Sequence, residues 1–341
     1  MNFWSLVAGF VPVIAFLLGL RLMDSYKLVH RQALFLALTG GLVAALLAFV
    51  ANRALLDVVG ISPGLLRAWG APIVEELLKA ALVVWFVNTD RVGFVVDAAL
   101  LGFAIGTGFA LAENVYYANA LRDPTLALWL VRGLGTAIMH GTATALFAIV
   151  GKALSDRDAN LGALAFGPGI LLAIVVHATF NQLSGSPLVT TAILLATSPI
   201  LLLAAFEYSE RATREWLSSG FDGEMEMLES ILDGVVEETA VGRYLETLRS
   251  RFEPMVVADL FCLLTIHLEL SLRAKGMLIA RAAGIHVPID ESVRANLEEM
   301  KYLEKAVGPV GRLAILPLRR TSRRDLWQIL LLQQASGGGK G

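Results

Sequence analysis

Apolar side chains run almost without a polar break over residues 3–23, 33–52, 70–88, 93–119, 128–151, 161–183 and 187–206. Each run is long enough to cross a hydrocarbon layer of about 30 Å as a helix, which closes its backbone hydrogen bonds internally. The connectors are short and rich in charge, proline or glycine, as in Ser62-Pro63-Gly64 and Arg122-Asp123-Pro124. The pattern predicts an all-α polytopic membrane bundle of about seven transmembrane helices. The first run lacks the basic leader and small-residue cleavage site of a signal peptide, so it reads as a retained span. Past residue 206 the periodicity becomes amphipathic, with helices predicted over 221–252, 255–283, 290–306 and 323–334. The most apolar of these is interrupted by Asp259, Glu269, Arg273 and Lys275, which predicts a soluble or surface-lying helix.

Composition sharpens this division. The chain of 341 residues is 56% hydrophobic and 17% charged, more apolar surface than one soluble core can hide. Residues 1–206 hold 21 of the 58 Asp, Glu, Lys and Arg side chains, and residues 207–341 hold 37. We therefore expect a membrane domain over 1–206, a helical extension over 207–335 and a disordered tail over 336–341. Alternate connectors carry eight basic residues (Arg21, Lys27, Arg31, Arg91, Lys152, Arg157, Arg211, Arg214) against four (Arg53, Arg67, Arg122, Arg132). That bias puts the N-terminus outside and the C-terminal region in the cytoplasm. A net charge of −2 gives no basic field for nucleic acid, and the arginines at 319, 320, 323 and 324 read as a solvated helix start or a contact with anionic lipid. The lone Cys262 excludes an intramolecular disulfide and a cysteine metal cluster.

Ionisable side chains inside spans are costly and usually face a functional interior. The third run holds Glu75, Glu76 and Lys79, the fourth Glu113 with Asn114, the fifth His140, and the sixth His177 with Asn181. Glu76, Glu113 and His177 each lie about six residues, roughly 9 Å, from the same predicted membrane face, and His140 lies about twelve residues in. Glu75 and Lys79, Phe109 and Glu113, His140 and Thr144, and His177 and Asn181 are spaced i,i+4, so each pair shares a helix face. Stripes of small residues, Gly102-Gly106-Ala110 and Gly133-Ala137-Gly141, allow the helices carrying them to approach closely.

Three carboxylates against one lysine leave negative charge that protons or a divalent cation must balance. Glu113, His140 and His177 form a sound ligand set for one zinc ion, with a fourth position open for water. Glu75 or Glu76 would then activate water, with Asn181 supporting the transition state. Without a metal, the same Glu and His side chains could act directly as a glutamate protease.

The ordered set Glu75-Glu76-x-x-Lys79, Phe109-x-x-x-Glu113, His140 and His177-x-x-x-Asn181, on successive spans, resembles the PrsW family of intramembrane proteases, relatives of the CAAX-processing and bacteriocin-protection enzymes. Glu113 stands at the second motif, as in PrsW and unlike the prenyl-protein proteases. The resemblance covers residues 70–183 and implies hydrolysis of a membrane-anchored protein such as an anti-sigma factor, in the cell membrane of a prokaryote. No His-Glu-x-x-His or Gly-x-Ser-x-Gly occurs, and Asp97 lies near a span end, so zincin, serine and aspartyl chemistries are set aside. His30, His267 and His286 receive no role, and Tyr116 and Tyr117 read as interface anchors. The rivals are a proton- or cation-coupled transporter, for which no internal repeat is visible, and a non-catalytic sensor that leaves the polar cluster unexplained.

Overall fold

A computed structural model describes residues 3–24, 29–89, 91–120, 125–182, 186–285, 287–288, 290–315 and 332, and among these the chain is helical with no strand. It divides into two compact units, Met1–Glu210 and Arg211–Gly341.

In the first unit α1 is Phe3–Met23, α2 Arg31–Asp57, α3 Ala71–Asn88, α4 Val95–Ala120, α5 Ala137–Arg157 and α6 Gly167–Gln182, with α7 starting at Pro187. Six helices of the described residues are long and apolar enough to cross a membrane. Five match predicted spans: α2, α4, Ala127–Arg157, Leu161–Gln182 and α7. The predicted third span is also a helix, α3, although it carries Glu75, Glu76 and Lys79. The predicted first span is helical as α1. The chain is thus a multi-pass membrane protein.

α4 is the axis of this unit. Its residues from Val95 to Ala110 are buried on every face, as expected of a helix apolar all round. Glycines make this possible: a Cβ at Gly106 would lie 2.3 Å from the His140 carbonyl oxygen, and one at Gly108 2.0 Å from that of Leu38. α4 therefore touches the backbones of both α5 and α2. The outward face of α2 exposes Phe35, Leu46, Phe49 and Val50, which suits contact with lipid tails.

Two π-helical turns, Leu66–Gly70 and Leu130–Thr136, lead into α3 and α5. Ser62 caps the start of the first, its hydroxyl accepting from the Leu65 N–H at 3.3 Å, with Pro63 in the first helical position.

Near its end the fold differs from expectation. A separate helix was predicted to start at 221, but α7 runs unbroken over Pro187–Leu232. The segment after 206 changes from apolar to polar, which alone does not end a helix, and Gly220 and Gly223 inside it cost only about 1 kcal/mol each relative to alanine. Gly234 ends it at φ 73°, where the Gly234 N–H donates to Ile231 and the Val235 N–H to Ser230, a paired C-terminal closure.

The second unit also contains α8 Ala240–Arg249, α9 Pro254–Ala282, α10 Glu291–Ala306 and α11 Gly308–Ile315. Leu260, Leu263, Leu264 and Leu270 of α9 pack with Leu245, Leu297 and Leu303 in one core. α9 is the sixth helix of spanning length and apolarity, contrary to the expectation that charge interrupts it. Residues 255–272 hold only Asp259 and Glu269, because Arg273 and Lys275 fall at its C-terminal side. Lys275 is buried, paired with Glu224 at 2.7 Å and placed over Trp216. The arginine cluster, the tail and, apart from Leu332, the predicted 323–334 helix lie outside the described residues.

Candidate active site

The polar residues of four helices meet around Lys79, whose side chain is fully buried. Its ammonium donates to Glu76 Oε1 at 2.6 Å and to His140 Nδ1 at 2.9 Å, and it lies 4.7 Å from the centre of the Phe109 ring. The other ring nitrogen of His140, Nε2, lies 2.9 Å from Glu113 Oε2. Glu76 Oε1 also accepts from His177 Nδ1 at 2.8 Å. Nε2 of His177 lies 3.8 Å from Glu75 Oε2. The other oxygen of Glu75 accepts from the Asn52 amide at 3.2 Å. The two imidazoles meet edge to face with centres 4.7 Å apart.

Burial separates these groups into two layers. Glu76, Lys79 and His140 are sealed, whereas Glu75, Glu113 and His177 line a cavity of about 730 Å³. Asn52, Arg67, Tyr117, Arg132 and Asn181 face the same space. One donor atom each from Glu75, His140 and His177 lies within 4.8 Å of the others.

The family model for PrsW family intramembrane metalloproteases matches residues 30–207, more than half of the chain. The chain belongs to the PrsW family of intramembrane metalloproteases. No curated protein and no solved structure matches it. The PrsW match begins just before α2 and ends within α7, so it contains every polar residue just described. It makes the chain an intramembrane endopeptidase acting on membrane protein substrates, and it removes the ground for the transporter reading.

Membership of a metalloprotease family implies a metal, and the donor set fits one. Two imidazoles and a carboxylate are a normal zinc environment, and with Nδ1 of His177 engaged by Glu76, its Nε2 is the nitrogen available to a cation. Glu76 supports that histidine from behind, as a carboxylate behind a ligating imidazole does in many zinc sites.

The geometry departs from the sequence reading in four details. Glu75, rather than Glu113, completes the group within 4.8 Å, while Glu113 is held on His140. Lys79 pairs with Glu76 three residues earlier, not with Glu75 four residues earlier, because Glu75 turns outward to Asn52 and the cavity. Asn181 lines the cavity but donates to the Arg67 carbonyl at 3.2 Å, away from the imidazoles. Asn114, noted with Glu113, ties helices together instead, donating to the carbonyls of Gly9 at 2.8 Å and Gly133 at 3.4 Å.

Sequence reasoning did not find Asn52 or Arg132, and it took Tyr117 for an interface anchor. A polar amide closing the apolar run at 52 was the available signal for Asn52. Arg132 lies over the Tyr117 ring at 4.4 Å and 3.9 Å from Glu113, so one of the three carboxylates has a second cation beside it.

Proposed function

We propose that this protein cuts a peptide bond of a membrane-anchored protein, an anti-sigma factor being the class implied by its family, in the outer half of the cell membrane. Its N-terminus lies outside and its C-terminal helical region in the cytoplasm, where the basic connectors also lie. The observation that carries the reading is the Glu75, His140 and His177 donor group, two of whose members, Glu75 and His177, line a cavity at membrane depth.

These three residues are the proposed holders of one zinc ion. When bound, zinc supplies Lewis-acid polarisation of the scissile carbonyl and of the attacking water. Glu113 is the most exposed carboxylate of the cluster, with 22% of its side chain accessible, and takes the proton from water. Glu76 and Lys79 hold the two imidazoles in orientation. Asn181 fixes the wall of the cavity through the Arg67 carbonyl.

Metal content of the detergent-purified protein, read by plasma mass spectrometry beside cleavage of a membrane-anchored substrate, tests this assignment. About one zinc per chain is expected, lost in His140→Ala/His177→Ala and in Glu75→Gln and retained in Glu113→Gln, with cleavage lost in all three. Metal loss in Glu113→Gln and retention in Glu75→Gln would exchange the roles of the two glutamates. Cleavage surviving in all three would refute the site.

A further inference from the structure

Two arginines of the cavity have no part in the chemistry above. Arg67 lies in the π turn Leu66–Gly70 and Arg132 in the π turn Leu130–Thr136, and both line the cavity with Glu75, Glu113 and His177. Such turns redirect side chains and concentrate at functional sites. The backbone of the first is pinned, since the Arg67 and Ala68 carbonyls accept from the side-chain amides of Asn181 and Gln182. The Arg67 guanidinium is exposed and makes no ion pair among the described residues. That of Arg132 is oriented by the Tyr117 ring, while its 3.9 Å approach to Glu113 is too long for a hydrogen bond. The Arg132 guanidinium is therefore oriented and that of Arg67 extends from a fixed backbone, with the donors of both left unconsumed.

We propose that Arg67 and Arg132 bind a carboxylate of the substrate, so that the protease selects segments carrying Asp or Glu beside the scissile bond. The inference rests on the peptidase reading of the same site. Leu66, Val131, Phe180 and Leu188 make the rest of the wall suitable for the apolar residues of a spanning segment. An acidic residue in such a segment is costly in lipid and is repelled by Glu75 and Glu113 unless a cation receives it. Arginine forks match a carboxylate in two-point geometry and stay charged at any relevant pH. A phospholipid phosphate has the same chemistry, but both arginines share their cavity with His177, so a group bound there meets the reacting centre.

The test uses the full chain in detergent and a labelled peptide of leucine and alanine with a single Glu, Gln or Lys, followed by fluorescence anisotropy. The wild type should bind the Glu peptide about tenfold more tightly than the Gln peptide. Arg67→Gln/Arg132→Gln should abolish that preference, Arg67→Lys/Arg132→Lys should keep part of it, and Arg67→Glu/Arg132→Glu should turn it toward Lys. Equal affinities in the wild type, absence of binding included, overturn the proposal, as does a preference that survives the double Gln change. If that change removes only binding of short-chain phosphatidylglycerol and leaves the Glu preference intact, the arginines serve a lipid headgroup and the proposal is wrong. Cleavage is followed in the same samples: a bound Glu peptide that stays uncut refutes the peptidase reading and leaves the arginine assignment standing.

Discussion

The membrane unit buries charge in two places, and the two differ in what they leave open. Asp97 and Glu113 lie at opposite ends of α4, sixteen residues or roughly 24 Å apart. Each end has a buried lysine tied to a carboxylate on its own helix, Lys79 to Glu76 at 2.6 Å and Lys152 to Asp156 at 2.5 Å. At the Asp97 end the charge serves the backbone. One oxygen of Asp97 accepts from the N–H groups of Gly93 and Phe94, which closes the start of α4. At the Glu113 end two imidazoles join the network, and His177 and two carboxylates face a cavity. Buried charge is thus used in two ways here, one closing the start of a helix and one opening on a cavity.

The comparison breaks most visibly in activity. Glu113→Gln and His177→Ala should lower substrate cleavage by about 10³-fold or more, whereas Asp97→Asn should leave it within a few-fold. An Asp97 variant that folds but is as inactive as the histidine variant would erase the distinction. Stability is the next scale. Lys79→Met strands Glu76 without its cation and should cost about 3–5 kcal/mol, read as thermal unfolding in detergent. Lys152→Met should cost less, about 1–3 kcal/mol, because Asp156 is partly accessible to water. Equal losses would mean that burial, not connectivity, sets the cost. The smallest effect expected is that of Asn52→Ala, which frees one oxygen of Glu75. It should weaken zinc binding about tenfold, measured by competition with a chelator, with little change in melting temperature.

The membrane helices and the residues that meet at Lys79 were legible in the sequence, because both follow from local rules. A run of apolar residues has one solution in lipid, and a Glu, His or Lys within such a run stands out against it. What stayed hidden depends on contacts between helices. Residues three and four apart both share a helix face, so spacing could not decide whether Lys79 pairs with Glu75 or Glu76. The choice was made by His140 and His177, from helices far along the chain, which occupy the inner side and turn Glu75 to Asn52. Arg132 was read only as a connector charge because the π turn that aims it into the cavity leaves no trace in hydropathy. The unbroken α7 was missed for a different reason: hydropathy marks where lipid suits the chain, not where a helix stops.

Gly106 has a consequence for how such a centre can vary. Its missing side chain lets α4 rest against the carbonyl of His140 itself, so the packing distance between two helices is also the coordinate that places an imidazole. A single methyl group at this position is a wedge under the histidine. Change at Gly106 would thus shift the bundle and the imidazole together, so that both depend on a residue that has no functional group at all.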